Sequence, residues 1–448
     1  MIVRTCRSPI APGALDTAAA AGQVSRMNTT PTEARTVEAV IVGAGMAGLT
    51  LAHALAGAGI EVAVVDRADP AGFADPGFDG RTTAIAAGSA RVLDGIGLWE
   101  MLAAKSCPID TIRVSDGDAL VFLHFDHHEV GDAPLGHILE NRDIRGALLA
   151  AATDSDRIEM IAPATIAEVV RGTGGATVRL DDGTEIRARV IFACDGRGSA
   201  LRRAAGIPVT EWRYDQSSFV CTIAHERPHR NIAHERFLPG GPFAILPMRA
   251  LDTPVEGDSG PLCHAASIVW SEANELVPAV RCLDDEAFVA ELAMRVDGFL
   301  GEIALASPRW VHPLGLSLAA RYTDERLALV GDAAHAIHPI AGQGLNMGIR
   351  DVAALAEVVV DARRLGRDIG DPDILAAYER WRRFDNMLLA VVTDNLTRLF
   401  SNDIAPVRIA RDAGLGIVNA IPAARRLSMR HAMGVVGDLP RLVRGEAL

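Results

Sequence analysis

The first 36 residues show neither a strand-like nor a helix-like rhythm of apolar positions. Order then begins abruptly at Val37. Val37 to Val42 (VEAVIV) is a short apolar run, the pattern of a strand covered on both faces. After the glycine-rich stretch Gly43 to Gly48, a helix is expected with Leu49, Ala52, Leu55 and Ala56 on one face. Gly57 and Gly59 close it, and Glu61 to Asp66 (EVAVVD) reads as a second strand, completing a βαβ unit of a parallel sheet.

Farther along, Ile112 to Phe125 alternates about an Asp116-Gly117-Asp118 turn and predicts a hairpin. A helix is predicted over Asn141 to Ala152, and a three-stranded meander over Ala164 to Ala193. Thr210 to Trp270 is strand-rich and suggests a second, antiparallel sheet. Leu327 to Gly331 (LALVG) is a strand leading through a glycine-rich loop into a helix from about Gly344 to Arg364, and the remainder reads as helical.

At 448 residues the chain exceeds a single core, and 49% hydrophobic with 23% charged residues describes a folded protein. The formal charge of -13 argues against nucleic acid as a partner. Residues 406–448 depart from it: seven arginines face three acids, a net +4 that suits either a solvated helical surface or contact with anionic lipid. The six cysteines are widely spaced, which points to a reducing compartment and to no zinc or disulfide framework. No run is long and apolar enough for a membrane span. Residues 1–35, rich in Ala and interrupted by Pro9, Pro12 and Pro31, read as a disordered leader, with Met27 as an alternative start and Arg4, Arg7 and Arg26 leaving an organelle-targeting reading open.

Three stretches carry chemistry. In Gly43-x-Gly45-x-x-Gly48, backbone N–H groups at a helix start face a diphosphate, with Met46 and Ala47 between the last two glycines. Asp66, 23 residues after Gly43, sits where a carboxylate meets ribose hydroxyls. This unit alone does not separate NAD from FAD. The second stretch, Gly331-Asp332 followed by Pro339 to Asn346, offers a strand-end acid for a sugar-like hydroxyl, then a loop and helix start. The N–H groups of Gly342, Gln343, Gly344, Leu345 and Asn346 suit the electron-rich edge of an isoalloxazine. The third is Asp195-Gly196 in CDGRGS, after the strand VIFA, and Arg81 adds a loop cation. His124, His127 and His128 look like metal ligands without a completing set, and His335 and His338 lie inside the flavin loop, so no metal is expected. No Gly-x-Ser-x-Gly is present.

With these residues together, the chain resembles the class A FAD-dependent aromatic hydroxylases, the group of p-hydroxybenzoate hydroxylase, and within them the ubiquinone-biosynthesis hydroxylases. GAGMAG, ACDGRGS and GDAAHAIHPIAGQGLNMGIRD match the family's three motifs. DGR with Ala84-Ile85, NRDI (Asn141 to Ile144), AHERFLPGGPFAILP (Ala233 to Pro247), YERWR and LTRLFSND extend the likeness from Val37 to the C-terminus. Asp66 stands where the family commonly has Glu, and the leader is long.

The resemblance implies an α/β fold: a discontinuous Rossmann-like FAD-binding domain (36–108, 137–208 and 311–372), an inserted antiparallel-sheet substrate domain (109–136 and 209–310), and a C-terminal helical region (373–448). It implies that Arg81, Asn141 and Asp195 lie along the diphosphate and ribityl chain, that Asp332 binds a ribityl hydroxyl, and that Pro339 with Gly342 to Asn346 borders the ring. The implied reaction is FAD reduction by NAD(P)H, which binds transiently, then transfer of one atom of O2 to a polyprenylated phenol. The flavin carries the chemistry, so no side chain is named as catalytic. Implied partners are other ubiquinone-biosynthesis proteins and, through residues 406–448, a membrane surface; the implied location is cytoplasmic and peripheral on a bacterial inner membrane. The alternatives are a hydroxylase, reductase or halogenase of another substrate on the same scaffold, and a non-catalytic FAD-fold scaffold for prenylated partners. The halogenase Trp-x-Trp-x-Ile-Pro is missing.

Overall fold

The computed structural model of the chain describes residues 34–70, 72, 80–117, 122–400 and 405–448. Most of the leader, Asp79, Asp118 and the Ser401 to Asp403 end of LTRLFSND lie outside them. Arg35, expected in the leader, already pairs in a strand with Ile186.

A six-stranded sheet runs in the order Thr323–Asp324, Leu327–Leu329, Val190–Ala193, Ala39–Val42, Val62–Val65, Ile158–Ile161, parallel except for the first pair. The four middle strands are buried at every position, so both faces need cover. Helices Met46–Gly57, Asn141–Thr153 and Gln343–Arg364 pack against it, and Val178, Leu180 and Ile186 of a four-stranded sheet join the same core. Each large aliphatic side chain so enclosed contributes about 1.5–3 kcal/mol. The helix Met46–Gly57 is buried on more than the one face expected, with Leu51 and Ala54 inside as well. Neighbouring helices enclose it where a surface helix would meet water.

The meander expected to reach Ala193 splits at Arg189. Ile166–Gly172, Gly175–Leu180 and Glu185–Ala188 form it, whereas Val190–Ala193 enters the parallel sheet between Ala39–Val42 and Leu327–Leu329.

The second large sheet has nine strands. Val209–His225 is flanked by Trp310–Ala319 and His264–Ala273, then come Gly241–Met248, Ile232–Leu238 and the hairpin Thr111–Asp116 with Phe122–Asp126. Its pairs are antiparallel except Ile232–Leu238 with Thr111–Asp116, the parallel joint that brings the hairpin in. Phe219, Trp270 and Phe288 fill a separate core beneath helix Asp285–Val296, with Arg295 stacked 4.0 Å over Trp270.

Helices Pro372–Phe400, Ala405–Ala420 and Pro422–Ala432 complete the chain, with the short Arg441–Arg444 after them. The cationic reading of residues 406–448 weakens here. Arg411 is buried on Asp116 at 2.8 Å, Arg425 meets Glu129 at 2.8 Å, Arg441 meets Asp361 at 2.6 Å, and Arg444 meets Glu446 at 2.7 Å. Four of the seven arginines therefore neutralise acids of the same chain. Among the described residues no helix is long and apolar enough to cross a membrane.

Candidate functional site

The three chemical stretches follow three adjacent parallel strands. Ala39–Val42 ends at Gly43, Val190–Ala193 at Asp195, and Leu327–Leu329 near Gly331, so all three emerge side by side at the carboxyl edge of the sheet. That edge is where doubly wound sheets bind ligands. The contacts are close. A Cβ on Gly43, whose φ is +109, would lie 2.3 Å from the Cys194 carbonyl oxygen, and one on Gly48 would lie 2.0 Å from the Gly43 oxygen. A Cβ on Gly331 would meet the Ala47 Cβ at 3.4 Å.

Gly45 differs. It caps the helix with φ -71, and a Cβ there would meet nothing within 4 Å. The protein's own packing does not need glycine there; a group laid against the backbone does. Gly196 and Gly344 are likewise open. Met46 and Leu345 pack on the core beneath the loops.

The Asp66 carboxylate accepts the Ala44 N–H at 2.6 Å and the Ala68 N–H at 2.8 Å, so it braces the glycine loop and keeps a further lone pair on each oxygen. Asp195 uses Oδ2 to accept the Ala200 N–H at 2.8 Å, while its Oδ1 is buried with no partner among the described residues. An orphaned acceptor beside an open glycine cradle fits the hydroxyls and diphosphate of FAD. Asp332 does not end the strand itself. It is exposed on the 3-10 turn Gly331–Ala333 beyond it.

Arg81 is exposed, and its carbonyl accepts the Asn141 N–H at 3.0 Å. The Asn141 side chain is buried and accepts from the Thr83 hydroxyl at 2.6 Å. Both residues thereby fix the strand Thr82–Ala86. That strand is also gripped by Asn346, which accepts from Ala86 N–H at 2.9 Å and donates to the Ala84 carbonyl at 2.7 Å. Gln343, the first residue of its helix, reaches the Ala432 carbonyl at 3.4 Å, and Pro339 is exposed at the head of the turn Ile340–Gly342.

Beneath this loop lies a group the sequence reading missed. Asp351, fully buried, pairs with His335 and with Arg382 at 3.0 Å, and accepts from Asn386 at 2.9 Å and the Gly331 N–H at 3.3 Å. Burial by itself would raise its carboxyl, but His335, Arg382 and Asn386 outweigh that and hold it at about 2. His335 is thereby held in a buried pair with Asp351. The signal was present in Ile349-Arg350-Asp351, but its partners lie a helix away. Asp126, His127 and His128 bring ligand atoms within 4.8 Å of one another, yet an Asp126 oxygen already accepts the His128 N–H.

Next to the loop is an apolar cavity of about 370 Å³. Pro339, Ile340 and Gly342 of the loop, Ala84 of the gripped strand, Val114, Phe237 and Ala244 of the large sheet, and Leu396, Phe400 and Met429 of the C-terminal helices line it. It holds few polar groups. Burial lowers the lining His338 imidazole to about 4, and its Nε2 has no partner among the described residues. The cavity suits an aromatic ring with an apolar substituent.

The family described as FAD binding domain matches residues 36–387. The chain is 46% identical to the ubiquinone hydroxylase UbiL of Rhodospirillum rubrum over 417 residues, covering 92% of this chain and 94% of that protein. It is 32% identical to the 3-demethoxyubiquinol 3-hydroxylase of Escherichia coli, across 89% of this chain and 98% of that one. Its fold is similar to PqsL, a probable FAD-dependent monooxygenase of Pseudomonas aeruginosa, with a TM-score of 0.68 at 25% identity over 85% of this chain and 99% of PqsL. Strand ends, orphaned acceptor and relatives agree, and the chain belongs to the FAD-dependent aromatic hydroxylases, in their ubiquinone-biosynthesis branch.

Proposed function

We propose that this protein hydroxylates the aromatic ring of a polyprenylated phenol on the way to ubiquinone. The observation that carries this reading is the apolar cavity whose wall is the ring-side loop itself, through Pro339, Ile340 and Gly342. Bound FAD, reduced by NAD(P)H, supplies the activation of O2. Gly43 and Gly48 shape the turn and its packing, the open Gly45 lets the diphosphate reach the backbone N–H groups of the helix start, and Asp66 takes the adenosine ribose. Asp195 and Asp332 accept from sugar and ribityl hydroxyls, and Arg81 balances the phosphate charge. Asn141 acts by fixing the strand Thr82–Ala86. The Gly342 N–H is taken by the Pro339 carbonyl, and the backbone N–H groups that follow it at the helix start stabilise charge on the ring edge. The cavity excludes water, which strengthens those interactions. Its volume accepts a head group and the start of a tail, so the rest of a prenyl chain must leave it, and the C-terminal helices form the nearest apolar way out.

That exit motivates a membrane-surface contact. Phe384, Met387, Leu388, Val391 and Val392 are exposed at helical spacing on Pro372–Phe400, and Ile417, Ile421 and Leu427 are exposed on the next two helices. This apolar stripe, more than the paired arginines, is the surface proposed to meet lipid. In flotation with anionic liposomes, wild type should rise with the vesicles and Val391→Glu with Met387→Glu should stay below; equal flotation removes the contact. Partnership with other ubiquinone-biosynthesis proteins is read from the family alone.

The reaction is tested by profiling quinone intermediates in a strain lacking the protein and by NAD(P)H-dependent hydroxylation with purified holoenzyme. Accumulation of a precursor short of one ring hydroxyl, made good by the purified enzyme, supports the reading. An unchanged quinone profile would sink it.

A further inference from the structure

One strand of the nine-stranded sheet carries an ionisable side chain where alternation calls for an apolar one. In Ile232–Leu238, the residues Ala233, Glu235 and Phe237 share a face, and both Ala233 and Phe237 are buried in apolar clusters. Glu235 lies opposite Ala244 on one neighbouring strand and Val114 on the other, and all five of these residues line the cavity. Arg236 and, across the strand pair, Arg113 belong to the other face by the same alternation. Arg236 donates there to the Arg295 carbonyl. Burial, with no opposing hydrogen bond or charge, raises the Glu235 carboxyl to about 7. A half-buried carboxyl with no partner among the described residues opposes folding. Among the described residues no group of the sheet compensates for it, so the partner is assigned to what fills the cavity.

We propose that Glu235 accepts the hydrogen bond of the substrate's ring hydroxyl, and thereby selects a phenol over a ring ether or a plain hydrocarbon. This rests on the phenol reading of the cavity given above. Most of the cavity's remaining lining is apolar, with His338 its other polar group lacking a partner among the described residues, at Nε2. Above about pH 7, where Glu235 is ionised, its carboxylate makes the strongest available hydrogen bond to a phenolic O–H and orients the ring by its one polar end. The same bond raises electron density in the ring, which favours attack by an electrophilic oxygen.

The test uses the purified holoenzyme and a matched pair of probes, a short-chain alkylphenol and its methyl ether, with binding measured by calorimetry. Wild type should bind the phenol at least about tenfold more tightly than the ether, as expected of a site built for a hydroxyl. Glu235→Ala should bring the two within about twofold by weakening the phenol alone, and Glu235→Gln, which keeps an acceptor oxygen, should lie between. Melting temperature is the control: Glu235→Leu should match or exceed wild type, because it removes an unpartnered carboxyl. A Glu235→Ala protein that keeps the wild-type ratio overturns the Glu235 assignment while the phenol cavity stands. A wild-type enzyme without any preference removes the phenol reading and this assignment with it. A clear loss of stability in Glu235→Leu marks a structural carboxyl and also overturns it.

Discussion

The cofactor edge and the substrate cavity are adjacent but built on different principles. The edge is made of three short motifs, each continuous in sequence, in which close backbone approaches stand beside acidic side chains. The cavity is assembled from at least five segments, spread from Thr82 to Ala432. Recognition by backbone restricts residue type sharply, because a single Cβ blocks it. Recognition by an apolar wall restricts only size and polarity, so many residues serve. The edge is therefore intolerant at points and the cavity tolerant in general, except where it holds a lone polar group.

The sharpest break of this comparison is Gly43→Ala. Its positive φ and the 2.3 Å approach to Cys194 O leave no room for a methyl group, so the purified protein should be colourless or unfolded, read as the flavin-to-protein ratio. Asp351→Ala comes next. It leaves buried His335 without its carboxylate and Arg382 with Asp385 and Asn386, and should cost about 3–5 kcal/mol in denaturant unfolding.

The same carboxylate predicts acid sensitivity. Its folded value, about 2, lies below the ordinary 3.8, so its stabilisation is complete above that ordinary value and fades as pH falls toward 2. Asp351→Asn should flatten the fall in melting temperature over that window; an unchanged slope would assign the acid loss elsewhere.

Gly45→Ala sharpens the comparison within one motif. With nothing within 4 Å of the new methyl, the melting temperature of the FAD-free protein should stay put, while FAD affinity falls by about tenfold or more, measured by fluorescence titration. On the cavity side, Ala244→Leu should raise KM for the phenol with FAD content unchanged, at a stability cost of about 1–3 kcal/mol. The smallest effect belongs to the exposed stripe: Val391→Ser should change unfolding free energy by less than about 0.5 kcal/mol.

Much of the edge was legible in advance because its reasons are local. Gly43, Gly48, Asp66 and Asp195 are fixed by the turn each strand must make, and their spacing is written within a few dozen residues. The helix Gln343–Arg364 and the hairpin at 111–126 were legible for the same reason. Three things were not. The split of the meander at Arg189 depends on which sheet has a free edge, and the strand run looks continuous from inside. The neutralisation of the C-terminal arginines depends on acids such as Asp116, 295 residues away from Arg411. The bond that the Asn141 side-chain oxygen accepts from the Thr83 hydroxyl joins residues 58 positions apart.

The sequence by itself determined that strand ends carrying glycine and acid would form a dinucleotide site, because backbone geometry and helix dipoles act within one turn of the chain. Only the tertiary structure decided that those ends are adjacent, that Asp351 and Arg382 meet beneath the loop, and that Glu235 lines an apolar cavity without a partner among the described residues. Adjacency and desolvation are set by residues from all parts of the chain, and no local pattern encodes them.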